Sequence, residues 1–263
     1  MRIPGFDRVL FVLASASLAI LSLIYGDFAP GQSLAAWIPW RETWVYGSAL
    51  LVLGASAGLC FSRTALPSAL TIGAYQAVWA AISTPAIFSQ PLGFGAWYGF
   101  CEALTSLVGT WILFSMLRWQ SPGSRLPIAS ERAVRAPQIL FGLACVFYGA
   151  SHFAYADYTA SMVPAWLPDA IGFAYFTGLG HIAAGLGIVI GVLPRLAATL
   201  EAIMMSLFGL LVWVPSFFAQ PRPHWATPPQ NQWSELVVNL VLAASAWLVA
   251  SSLRNRSWMR FRS

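Results

Sequence analysis

A histidine, a carboxylate and an amide offered to one outer-leaflet cavity of an apolar bundle can grip a polar head group or hand on a proton. The second half of this chain sets up that combination. His181 lies in YFTGLGHIAAGLGIVIG (175–191), a stretch apolar enough for a membrane that also carries Gly178, Gly180, Gly185, Gly187 and Gly191. On a helix, Gly178 and Gly185 share the face of His181, with Thr177 and Ala184 beside them. A face so free of bulk accepts either a closely packed helix or a flat ligand. Glu235 and Asn239 form one stripe on the last apolar segment, His152 ends the fifth, and Trp213 stands near the end of the seventh. Cys145 and the Met205–Phe208 region fall at the level of His181, roughly 13 Å below the outer end of its helix.

The chemistry these types suggest is proton-coupled. His181 would donate to a carbonyl and Glu235 would carry the proton. His152, Tyr158, Trp166, Tyr175, Thr177, Gly178, Gly185, Trp213, Trp233 and Asn239 are the expected ligand-binding residues around that pair. Each has a plainer alternative. His181 could be a core histidine satisfied by a carbonyl or by Glu235, Glu235 a tie between helices, and His152 an interfacial cap. Glu201, two turns inside its helix, is read as a packing or interfacial carboxylate far from the others, and His224 as a solvated loop residue. His152, His181 and Glu235 have the types of a metal set, but about a turn or more of depth separates them, so no metal or haem site is expected. Cys60, Cys101 and Cys145 form no C-x-x-C and read as packing residues.

Positioning these groups falls to membrane helices. Of the 263 residues, 58% are hydrophobic and only 9% charged, whereas soluble domains carry about 25% charge. The 13 Trp, 17 Phe and 8 Tyr suit aromatic belts at a membrane surface. All 14 basic residues are Arg and they sit at helix ends rather than in one patch, so nucleic-acid binding is not expected. Since a membrane helix needs roughly 20 mostly apolar residues, spans are expected near 8–26, 42–61, 65–84, 96–117, 136–153, 172–192, 195–215 and 232–252.

The eight segments divide into two similar sets. TPAIFSQP (84–91) aligns with VPSFFAQP (214–221), AWIP (36–39) with AWLP (165–168), Gly47 and Gly54 with Gly178 and Gly185, and Glu102 with Glu235. Ordered matches of this kind point to two tandem, parallel four-helix units, 1–117 and 136–263, joined by a polar cytoplasmic linker at 118–135. Arg2, Arg8 and the apolar run 9–24 could form a signal peptide, but the repeat gives that run a counterpart and makes it a retained helix. Only Arg41 and Arg222 fall on the outer side when both termini are cytoplasmic, the orientation expected in a bacterial-type inner membrane. Residues 153–171, with Tyr155, Tyr158 and Trp166, read as an interfacial anchor or a lid.

The second half, through YGASHFAYADYTASMVPAWLP, the TG-x-x-H-x-x-x-G stretch and NQWSELVVNLVLAASAWL, resembles the DoxX-like family of four-helix membrane proteins over about residues 136–252. The first half is similar only through the internal repeat. The family takes its name from a membrane subunit of a thiosulfate:quinone oxidoreductase, so the resemblance implies quinone-linked redox chemistry, with electrons supplied by a partner subunit. Three functions are carried forward: binding of a quinone-like ligand in a redox system, non-catalytic binding or transport of a lipid or small apolar molecule, and a helix-packing scaffold.

Overall fold

The computed structural model describes residues 5–28, 37–120, 131–226 and 228–258. Most of the expected linker, together with Arg2, Arg125, Arg260 and Arg262, lies outside them. Among the described residues all regular structure is helical: α1 Phe6–Tyr25, α2 Arg41–Gly58, α3 Ala65–Ser89, α4 Phe94–Gln120, α5 Glu131–Ala154, α6 Ala156–Met162, α7 Ala170–Ile190, α8 Pro194–Phe208, α9 Val214–Ser216 and α10 Pro229–Ser252. A π-helical turn, Gly209–Trp213, joins α8 to α9 so that the pair runs on as one span.

Among the described residues seven helices are long and apolar enough to cross a membrane. The expected second span is not among them. Arg41 and Glu42 occupy the first turn of an 18-residue helix, and the apolar stretch left is too short. Even so, α2 runs beside α1 from end to end. The Arg8 guanidinium donates to Leu59 O at one end, and Arg41 pairs with Asp27 at the other.

The tightest seam joins α5 to α7. A Cβ built on Gly185 would stand 2.4 Å from Gly142 O, and one on Gly149 would stand 2.5 Å from Gly178 O. The contacts are reciprocal: Gly142 and Gly178 would in turn meet Gly185 O at 2.8 Å and Gly149 O at 3.1 Å. Backbone therefore lies on backbone, the arrangement small residues allow between membrane helices. The bare face around His181 is filled by a helix, and Gly178 and Gly185 face α5 rather than a ligand. Arg135, near the start of α5, locks the far end by donating to Ile188 O and Val189 O. Those carbonyls belong to the last turn of α7, which has no further helix to satisfy it and carries the negative end of the dipole.

Gly191, at φ +86°, closes α7 in the left-handed region that glycine tolerates, and Pro194 opens α8 three residues later. Elsewhere α1 packs on α2 and α10, α5 on α7 and α4, and α4 on α10. Gly109 of α4 lies directly against Ser245 of α10. The core of Phe11, Ile72, Ile112, Phe141, Ile188 and Leu248 runs through the junction of these helices.

Gly185→Ala should therefore lower thermal stability in detergent, by about 1–3 kcal/mol, the usual range for overpacking. Gly54→Ala, aligned with it in the sequence, meets nothing within 4 Å and should not lower the melting temperature. Equal melting temperatures for the two variants would rule out the seam.

Candidate functional site

The short turn at 191–193 makes α7 and α8 an antiparallel hairpin, so residues equally far from the turn face each other. His181 lies nine residues before the end of α7, and Glu201 seven residues after the start of α8. They meet, with His181 Nδ1 2.8 Å from Glu201 Oε1 and side-chain exposures of 1% and 0%. One proton lies between them, donated by the imidazole N–H or by a protonated carboxyl. The expected partner was Glu235, and Glu201 was expected far away. Measuring His181 from one end of its helix and Glu201 from the other hid their common distance from the turn.

The surroundings close over the pair. Among the described residues Glu201 Oε2 is buried without a hydrogen-bond partner, and the fully buried Cys145 thiol lies beside the carboxylate. The His181 ring has Tyr148 at 6.2 Å, His152 at 5.1 Å and Phe208 at 5.7 Å between centroids. Tyr148 is tied to α4 through its hydroxyl, 3.1 Å from Thr105 Oγ1. Thus α5, α7 and α8 all contribute to one polar cluster in an apolar core.

His152 links this cluster to the α6 end of the bundle. Its Nδ1 is 2.9 Å from Thr177 Oγ1 and 3.4 Å from Ala174 O, while its Nε2 has no hydrogen bond among the described residues. The Thr177 hydroxyl itself donates back into α7, to Phe173 O at 2.9 Å, which leaves its lone pairs to accept from the His152 N–H. Phe208 lies 6.1 Å from the His152 ring and so touches both histidines. The π-helical turn begins one residue later, where Asn239 Oδ1 would stand 2.8 Å from a Cβ on Gly209. Such bulges often occur at functional sites because they redirect side chains and release backbone groups.

The remaining expected residues stand away from the dyad. Glu235, partly buried in the second turn of α10, has no hydrogen bond to His181; it is within electrostatic reach of Glu102 and Tyr158. Tyr158, in α6, has its hydroxyl pushed up from the ordinary phenol value, first by burial and then by Glu235. Tyr175 stacks on Phe153, Trp213 meets Trp225 edge-on, Trp233 packs on Phe217, and Trp166 is largely exposed. These aromatics form a rim at the α6 end. His152, Thr177 and His181 are the expected residues that come together, and Glu201, Tyr148 and Phe208 complete their cluster.

Residues 136–214 match the DoxX family model. The matched segment runs from α5 to the start of α9, so it holds Cys145, Tyr148, His152, His181, Glu201 and Phe208, while Glu235 and Asn239 lie beyond it. No curated protein and no solved structure matches the chain.

Removing one member of a buried pair strands the other, at a cost of about 3–5 kcal/mol. Glu201→Ala should accordingly destabilise the protein by several kcal/mol in chemical denaturation. Glu235→Ala, at a partly buried carboxylate with no hydrogen bond to lose, should change stability little. The reverse order of effects would mean that Glu201 is not the partner of His181.

Proposed function

We propose that the second half of this membrane protein binds a lipophilic, quinone-like ligand at the His152 side of the cluster, as the membrane component of a redox system. The observation that carries the proposal is the buried His181–Glu201 dyad with His152 set against it. Ionisable groups within a bilayer are costly and mark functional sites when they are retained. His152, held by Thr177, offers an Nε2 with no hydrogen bond among the described residues, beside the Phe208 ring. One polar contact in aromatic surroundings is what a ring bearing carbonyls requires. A bound quinone would supply the electron-accepting or electron-donating centre, and a partner subunit the electrons. His152 would orient the ligand, Phe208 would exclude water, and His181 with Glu201 would hold the proton exchanged.

Two parallel four-helix units, with both termini cytoplasmic in a bacterial-type inner membrane, remain the preferred topology. Support comes from end contacts that recur. Arg8 of α1 bonds the carbonyl after α2, as Arg135 of α5 bonds the last carbonyls of α7. The end-to-end alignment of α1 and α2 supports counting α2 as a crossing. The basic side chains Arg8, Arg63, Arg118, Arg135, Arg195 and Arg254 gather at one end, which supports placing that end inside.

A scaffold role is the second reading, favoured by the glycine seam and by the complete burial of His181. Mass spectrometry and visible absorption of protein purified gently from its native membrane separate the two. A quinone at near-equal stoichiometry is expected in the wild type and should be lost from His152→Ala and His181→Ala. A retained lipid in its place would mean a non-catalytic binding protein. Ligand-free protein in every sample would leave the scaffold.

A further inference from the structure

We propose that the α7–α8 turn and the segment following α10 form a binding site for the phosphate-bearing head group of an anionic membrane lipid. The site is built on Arg195, the second residue of α8. Its guanidinium carbon stands 3.9 Å from the centroid of Trp258, and its Nη1 donates to Arg256 O at 3.3 Å. The chain beyond α10 is thereby held against the start of α8, with exposed Arg254 two residues before the bonded carbonyl of Arg256. Backbone bonds from Arg254 N to Ser251 O and from Arg256 N to Leu253 O shape that stretch.

Stacking uses one face of the Arg195 guanidinium and the carbonyl uses one N–H. Nε and Nη2 make no hydrogen bond among the described residues. A planar fork held in place with donors to spare suits a phosphate better than a mobile side chain does. The two ion pairs among the described residues, Arg41–Asp27 and His181–Glu201, both lie elsewhere. Neither Arg195 nor Arg254 is therefore neutralised by a carboxylate among those residues. Asp7, at the same end of the bundle, accepts from its own neighbour, Arg8 N.

The apolar neighbours select a lipid over free phosphate. Val192 in the turn is 39% exposed and Trp258 is 42% exposed, so the arginines are bordered by a residue an acyl chain can cover and by an indole of the kind found at head-group level. Juxtamembrane arginines attract anionic lipids by about fivefold each. Here Arg195 is fixed by its stacking and its bond, and Arg254 lies two residues before the carbonyl that holds it. The site is independent of the His181–Glu201 cluster and of any ligand bound there.

The test is native mass spectrometry of the full chain from nanodiscs of mixed phosphatidylglycerol and phosphatidylcholine. The wild type should retain phosphatidylglycerol in preference, and Arg195→Gln with Arg254→Gln should reduce that retention by at least about fivefold. Arg195→Lys should restore part of it. Inorganic phosphate should not displace the lipid; if it does, the site is a free-anion site and the proposal fails. Arg63→Gln with Arg118→Gln, at the same end but off the site, should change nothing. Equal loss from that control would leave only diffuse charge attraction and would also overturn the proposal. Should the double variant not fold, Arg254→Gln alone, which removes an exposed side chain with no side-chain hydrogen bond among the described residues, decides by the same readout.

Discussion

A carboxylate cannot stand alone in the middle of an apolar bundle, and the way this protein meets that constraint organises its second half. Glu201 is placed where the α7–α8 hairpin brings His181 across to it, and the two share a proton at 2.8 Å. The hairpin must be tight for the two to be level, hence Gly191 at positive φ followed by Pro194. The face of α7 around His181 must also be held against α5 without bulk between the helices. Gly142, Gly149, Gly178 and Gly185 do this by letting α5 approach to backbone contact. Close approach in turn sets His152 and Tyr148 of α5 against the His181 ring.

By the proposed repeat, the first half corresponds to the second but carries no histidine. An arginine at the start of α1 reaches the end of α2, as Arg135 reaches the end of α7. Where the second half has His152 bonded to Thr177, the matching Asp27 is paired with Arg41, and Arg41 lies over Phe28. Gly47 and Gly54 have no atom within 4 Å of an added Cβ, so the glycine face that receives α5 in one half is open in the other. Histidine-free helices beside a half that holds the dyad fit the proposal that the DoxX-matching half carries the function. The match itself covers the helices that form the dyad.

Much of this was legible in the sequence, because hydrophobic runs and their polar interruptions set helix positions directly. Seven of the eight expected apolar segments, and the short break between the sixth and the seventh, appear among the described residues where composition placed them. The failures were of pairing rather than position. α2 falls short of a full apolar span because Arg41 and Glu42 were counted at the margin of a segment and instead form its first turn. Glu235 was chosen over Glu201 because depth along each helix was taken from different ends. The relation between 181 and 201, nearly symmetric about a three-residue turn, was present in the residue numbers. The bare face of α7 left helix and ligand equally possible, since only the position of Gly142 and Gly149 on α5 decides between them.

The most direct measurement is 15N NMR of histidine-labelled protein in lipid nanodiscs, comparing wild type with Glu201→Gln and Glu235→Gln. A hydrogen bond from His181 Nδ1 to Glu201 predicts a His181 Nδ1 shift that changes in Glu201→Gln and is unaltered in Glu235→Gln. A His181 signal that ignores Glu201→Gln and moves with Glu235→Gln would contradict the dyad, and with it the proton-holding role assigned to the cluster.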